Sequence, residues 1–131
     1  MASPAHRQSD RTVRINVDLG FRSYPILIGE NWLNDVGAIV RKYAAKPSAM
    51  VFTSPHIGGL FFPQVAKSLR MAGFRKVIRH DIPDGERYKN QRQFDLCLRA
   101  LSREFPDPGN SPLVINLGGG VVADLGGFAA G

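Results

Sequence analysis

Three consecutive glycines, Gly118, Gly119 and Gly120, follow the apolar run LVINL and precede a second apolar run that carries a single acid, Asp124. Glycines where a strand gives way to a helix omit the Cβ atoms that would hold a ligand off the backbone. Main-chain N–H groups at the positive helix end can then approach a pyrophosphate. The spacing is not G-x-G-x-x-G, and tight packing of strand against helix would call for the same residues. Asp124 falls about one turn beyond Gly120, where an acid can face the same cavity or serve the helix dipole from the first turn. A second polar stretch, DGERYK, sets Glu86 and Lys89 three residues apart on one side of a turn. There a carboxylate can hold ribose hydroxyls and an ammonium can hold phosphate, although the same pair on an open surface would be an ion pair of little consequence.

Other reactive side chains do not assemble. His6, His56 and His80 form neither H-x-x-x-H nor H-E-x-x-H, so no metal site is legible in them, and His56 is expected to face solvent. Ser54, followed by Pro55, reads as a helix cap rather than a nucleophile, because no G-x-S-x-G elbow surrounds it. Cys97 is the sole cysteine and stands in FDLCLRAL, the setting of a small buried hydrophobe. With one cysteine, no intrachain disulfide or cysteine-based zinc cluster can form, which points to a reducing cytoplasm.

Positioning those loops requires alternating elements. TVRINVDL and YPILIG, separated by the turn GFRS, read as a half-buried hairpin. Leu33, Val36, Gly37, Val40 and Ala44 recur at helical spacing and predict a helix over 30–45, with Trp32 as a partly buried anchor on it. SAMVFTS is the next strand, followed by a helix from Pro55 to about Met71 that Ala72 and Gly73 close. RKVIRHDI is another strand. The polar turn at PDGERYKN leads to a helix whose apolar face comprises Phe94, Leu96 or Cys97, Leu98 and Leu101. LVINL and the helix after the glycines complete the order. Such alternation predicts an α/β fold, a Rossmann-like parallel sheet with helices on both faces preceded by an N-terminal β-hairpin. Ligands of such sheets gather beyond the carboxyl ends of the strands, here the loops TSPH, DIPDGERYK and GGGVVAD.

Composition sets bounds on this reading. A chain of 131 residues with 44% hydrophobic and 21% charged content supports one globular domain, assigned to 13–131 after a polar tail over 1–12. No apolar segment reaches the length of a membrane span, and the tail lacks a secretory signal. The net charge of +6 is spread over single basic residues without aromatic interleaving, so no nucleic-acid partner is expected.

Taken in order, LGFRSYPILIG, IPDGERYK and LVINLGGGVVADLGGFAA resemble the N-terminal half of the 3-dehydroquinate synthases, a branch of the sugar-phosphate cyclases. The most specific parts are the D-G-E-x-x-K turn and the L-G-G-G-V-V-x-D-L-x-G-F-A-A block. The resemblance implies an NAD-dependent lyase of the shikimate pathway that converts 3-deoxy-D-arabino-heptulosonate 7-phosphate into 3-dehydroquinate and phosphate. It implies cofactor roles for Asp84, Gly85, Glu86, Arg87, Tyr88 and Lys89 at the ribose and adenine side, for Gly119, Gly120 and Val121 along the pyrophosphate, and for Val122 and Ala123 as further cofactor-binding residues. Asp124 would stand at the nicotinamide end. It further implies a sugar-phosphate substrate, a homodimer in the full-length enzyme and a divalent metal, zinc or cobalt. The ligands of that metal belong to a C-terminal α-helical domain absent from this sequence, so no catalytic residue is assigned within the chain. On this reading the chain is an N-terminal fragment, inactive alone, whose last helix is cut after little more than a turn and leaves apolar surface exposed. Another sugar-phosphate cyclase of the inosose or valiolone type, or a non-catalytic nucleotide-binding remnant, would share these residues.

Departures from the family pattern are local. Ala123 replaces the usual glycine before the acid, a change that matters if the position needs a positive φ. Gly126 stands where threonine is frequent. Ser54 occupies a position often held by Asp or Asn beside the adenine ribose.

Overall fold

The structure, a computed structural model, describes residues 13–131; the tail expected over 1–12 lies outside the described residues. Alternation of apolar and polar residues pairs β1 (Val13–Val17) with β2 (Tyr24–Ile28) as an antiparallel hairpin closed by a 3₁₀ turn at Gly20–Arg22. The hairpin is a sheet of its own, separate from the main one. Its apolar face is more open than the half-buried expectation, for Val13 and Ile28 pair with each other and are 50% and 53% exposed.

The main sheet is parallel, in the order β4 (Lys76–Asp81), β3 (Ser48–Thr53), β5 (Leu113–Leu117). β3 is central and buried along its whole length, as expected of a run apolar on both sides. Ala49 and Val51 pack with Val65, Leu69 and Phe74, whereas Met50 and Phe52 pack with Cys97, Ala100, Val122, Leu125 and Ala129. One cluster therefore lies under α1 (Val36–Arg41) and α2 (Pro55–Met71), and the other under α3 (Gln91–Glu104) and α4 (Gly120–Ala130). Burying a side chain of the size of Phe52, which is 0% exposed, contributes about 1.5–3 kcal/mol.

Local signals set the helix ends. The Ser54 hydroxyl accepts the N–H of Ile57 at 3.3 Å with Pro55 next, and Gly73 at φ +100° closes α2. Asn90 caps α3 by accepting the N–H of Gln93 at 3.0 Å.

Three expectations need correction. The helix predicted over 30–45 is confined to α1, because Asn31 has φ 60°, which a right-handed helix cannot include. Its apolar face was nonetheless read correctly, since Leu33, Val36, Val40 and Ala44 all pack on the α2 side, while half-buried Trp32 precedes the helix instead of lying on it. On α3 the core position belongs to Cys97, 0% exposed, and Leu98 is turned outward. The final helix is not a single turn but 11 residues long, anchored by Val122, Leu125 and Ala129 at spacing i, i+3, i+7. Its Phe128 is 73% exposed and packs edge-on to Phe94 of α3.

Candidate functional site

The carboxyl ends of the parallel strands stand in one rank, with Asp81 beside Thr53 and Thr53 beside Leu117. Beyond β3 the chain passes to α2 on one face, and beyond β5 to α4 on the other. The connections diverge at the β3/β5 boundary, where an open α/β sheet leaves a crevice for a ligand. The Thr53 hydroxyl donates to the Leu117 carbonyl at 2.7 Å and braces the two strand ends. Ser54 is 3% exposed and occupied as a cap, whereas His56 is exposed, as expected.

The three glycines do different things. A Cβ on Gly118 would come within 3.0 Å of Val122, so this glycine serves the close turn of strand into helix. Gly119 and Gly120 would place a Cβ in open space, and both are exposed. Gly119 is the N-cap of α4 without a side-chain cap, and its carbonyl accepts the N–H of Ala123 at 3.0 Å. The N–H groups of Gly120, Val121 and Val122 therefore head the helix, where an α-helix has no internal acceptors. Open space, a positive helix end and donors on the backbone are what an anion cradle requires, and side chains at 119 and 120 would narrow that space. Ala123 does not take a positive φ, as Asn31 alone does among the described non-glycine residues; the alanine fits as an ordinary helical residue. Gly126 is required by packing, since a Cβ there would fall 1.9 Å from the Asn116 Oδ1 and 2.9 Å from the Phe52 ring.

The second motif arrives from β4. Gly85 turns the chain at φ +116°, and Glu86–Tyr88 forms a 3₁₀ turn that delivers Lys89 to α4. Lys89 Nζ lies 2.6 Å from Asp124 Oδ2 and 3.8 Å from Glu86 Oε1. Asp124 is thus in the second turn of α4, not the first, and its role is to meet Lys89 rather than to offset the dipole at the first turn. The hydrogen bond from Lys89 to Asp124 raises the ammonium pKa, and the charges of Asp124 and then Glu86 add to that. Arg87 and Tyr88 engage each other, with the guanidinium donating to the phenol oxygen at 2.9 Å, and Asp84 lies exposed in the turn.

Elsewhere, burial pushes the Cys97 thiol up to about 11, which keeps it protonated and unreactive. His80 has a buried Nε2 without a hydrogen-bond partner among the described residues and meets Phe52 edge-on. Burial lowers its pKa, with Asp81 opposing and Arg103 assisting. No group of three or more His, Cys, Asp or Glu side chains gathers as a metal site among the described residues. No helix among them is long and apolar enough to cross a membrane. The sequence reading missed the Arg79 and Asp81 ion pair at the end of β4, although their i, i+2 spacing on a strand already puts both on one face.

Residues 79–131, which include both motifs, match the family model described as 3-dehydroquinate synthase N-terminal. This part of the chain is similar to the N-terminal part of the 3-dehydroquinate synthases. Beyond that segment, a 3-dehydroquinate synthase of Shewanella sp. (strain MR-4) is 35% identical over 119 residues, covering 91% of this chain and 32% of that protein. One from Vesicomyosocius okutanii subsp. Calyptogena okutanii (strain HA) is 37% identical over 116 residues, 88% of this chain and 31% of that protein. One from Citrifermentans bemidjiense is 35% identical over 117 residues, 89% of this chain and 32% of that protein. The chain therefore spans about a third of the length of the curated relatives it matches.

Proposed function

We propose that this chain is the NAD-binding part of a cytoplasmic 3-dehydroquinate synthase, the lyase that forms 3-dehydroquinate and phosphate from 3-deoxy-D-arabino-heptulosonate 7-phosphate. The observation that carries this reading is the 2.6 Å pair of Lys89 with Asp124, which joins the two family motifs beside a helix end where Gly119 and Gly120 face open space. The residues present fit a dinucleotide. The N–H groups of Gly120, Val121 and Val122 would hold the diphosphate, Glu86 and Lys89 would hold the ribose and phosphate of the adenine side, and Asp124 would stand toward the nicotinamide. When bound, NAD supplies the transient oxidation of a substrate hydroxyl.

The chain's own contribution is binding and orientation. The donors at the head of α4 sit on a helix fixed by Val122, Leu125 and Ala129 in the core, so they need little reorganisation to receive an anion. Lys89 brings a cation to that place and is itself held by Asp124. Substrate ring chemistry and the divalent metal are assigned to residues outside this sequence, so these residues alone bind cofactor without turnover. Calorimetric titration of the full-length protein with NAD, paired with phosphate release from the heptulosonate phosphate, tests both parts. Micromolar or tighter NAD binding with phosphate release is expected; NAD binding without release would retain the cofactor site and remove the reaction.

A further inference from the structure

The N-terminal hairpin stands apart from the main sheet and leaves a hollow beneath it. Arg14 and Leu27 are opposite one another in its ladder and so share one side of the hairpin. They form one wall of a cavity of about 730 Å³. Ile39 of α1, with Lys42 and Tyr43 just beyond that helix, forms the other wall, and Trp32 lies between. This volume is within the range of about 300–1,000 Å³ in which proteins receive small molecules. Helix α1 packs on the α2 face of the main sheet, whereas the glycine turn opens α4 on the opposite face, so the cavity is separate from the dinucleotide site proposed above.

The backbone is shaped to put the indole there. Asn31 turns the chain at φ 60°, and Trp32 follows at once. Such a conformation persists only where the surroundings impose it, and it is frequent at ligand clamps. Gly29 yields the space that the ring needs, since a Cβ there would collide with the indole nitrogen. The two cations of the lining have no carboxylate partner among the described residues. Arg14 Nε donates to Asn16 Oδ1 at 3.1 Å, a neutral acceptor, and Lys42 Nζ stands 5.2 Å from the centroid of the Tyr43 ring. Asp18, the acid of the adjoining hollow, already accepts from the Gly20 N–H and the Ser23 hydroxyl, each at 3.3 Å.

We propose that this cavity is a second binding site, for a flat aromatic monocarboxylate. The ring lies among Leu27, Trp32, Ile39 and Tyr43, and the carboxylate accepts from the Arg14 guanidinium with the Lys42 ammonium beside it. A neutral ring would gain the apolar contacts without the ion pair, and a small inorganic anion would gain the charge without the rings. Occupancy therefore needs both halves of the ligand. A bound ligand also fastens the hairpin to α1, which matters because a two-stranded ladder is only marginally stable by itself.

The test is calorimetric titration of the full-length protein with 2-naphthoate and with its uncharged counterpart 2-naphthamide. The carboxylate is expected to bind with a dissociation constant of about 0.1–1 mM, and at least about tenfold more tightly than the amide. Arg14→Gln should weaken 2-naphthoate about tenfold and bring the two ligands to the same affinity, whereas Trp32→Leu should weaken both together. No saturable binding of 2-naphthoate, or equal binding of the two ligands by the wild type, overturns the proposal. Binding that survives both substitutions places the ligand elsewhere and overturns it as well. Arg14 and Lys42 are exposed, so changes there leave the core intact. Should Trp32→Leu fail to fold, Lys42→Gln must lower the preference for the carboxylate; an unaltered preference there refutes the idea.

Discussion

Replacing Gly120 by alanine should make the protein more stable and worse at its proposed task. Gly120 opens α4 without a positive φ, and a Cβ there meets nothing within 4 Å. Alanine restricts the unfolded chain and favours the helix, so stability should rise by about 0.4–1 kcal/mol. For a domain of this size that corresponds to a melting temperature higher by roughly 2–4 °C. The empty space beside Gly120 is also where the diphosphate would rest, and a methyl group that holds it off the N–H groups should cost at least about 1.5 kcal/mol, or tenfold in affinity. Differential scanning calorimetry and NAD titration on the same preparation give both numbers. A variant that is stabilised yet binds NAD as tightly as the wild type would show that no ligand occupies this cradle. Gly126→Ala provides the opposite case: its Cβ would collide with Asn116 and Phe52, so it should lose about 1–3 kcal/mol of stability while the folded fraction keeps its affinity.

Further outcomes follow from the site's charges and core. Lys89→Ala and Asp124→Ala should each weaken NAD by about tenfold, and the double variant by less than the product, because the two side chains are in contact; fully multiplicative losses in calorimetry would separate them. The raised Lys89 pKa means that the pair's contribution to folding is complete below the ordinary lysine value of about 10.4 and fades as pH climbs through the elevated one, which melting curves between pH 9 and 12 would reveal. His80 behaves in the opposite sense. The unfolded chain takes up a proton near pH 6.5 while the folded ring resists it, so stability should fall as pH drops below that value, by at most about 1.4 kcal/mol per pH unit. Urea melts of wild type and His80→Gln at pH 5 and pH 7.5 check this, with equal acid slopes counting against it. Cys97→Ser should cost about 1–3 kcal/mol by burying a hydroxyl, with NAD affinity of the folded protein unchanged.

Gly126 shows how a local departure from the family pattern finds its reason in packing. Helix α4 crosses β5 and β3 so closely at this point that the Asn116 amide and the Phe52 ring fill the place of a side chain. Ala123, one residue before Asp124, has an exposed helical position instead and brings no strain. Both lie near the proposed cofactor, and neither disturbs the cradle at Gly119 and Gly120.

The order of strands and helices, the cap at Ser54, the glycine turn and the family motifs were legible in the sequence, because periodicity, capping and turn chemistry act over a few neighbouring residues. Helix limits around Asn31, the choice between Leu96 and Cys97 and the outward turn of Leu98 were not, since they depend on which side chain the packed sheet accepts. The division of labour among Gly118, Gly119 and Gly120 was equally hidden, as it turns on where Val122 lies in space. Most of all, tertiary structure decided the partner of Lys89. Glu86, three residues away, is the neighbour the sequence offers, yet Asp124, 35 positions distant, is the one it meets at 2.6 Å. That contact exists because β4 and β5 flank β3 in parallel and present their carboxyl ends together, an arrangement set by burial of β3 on both faces and not by any spacing along the chain.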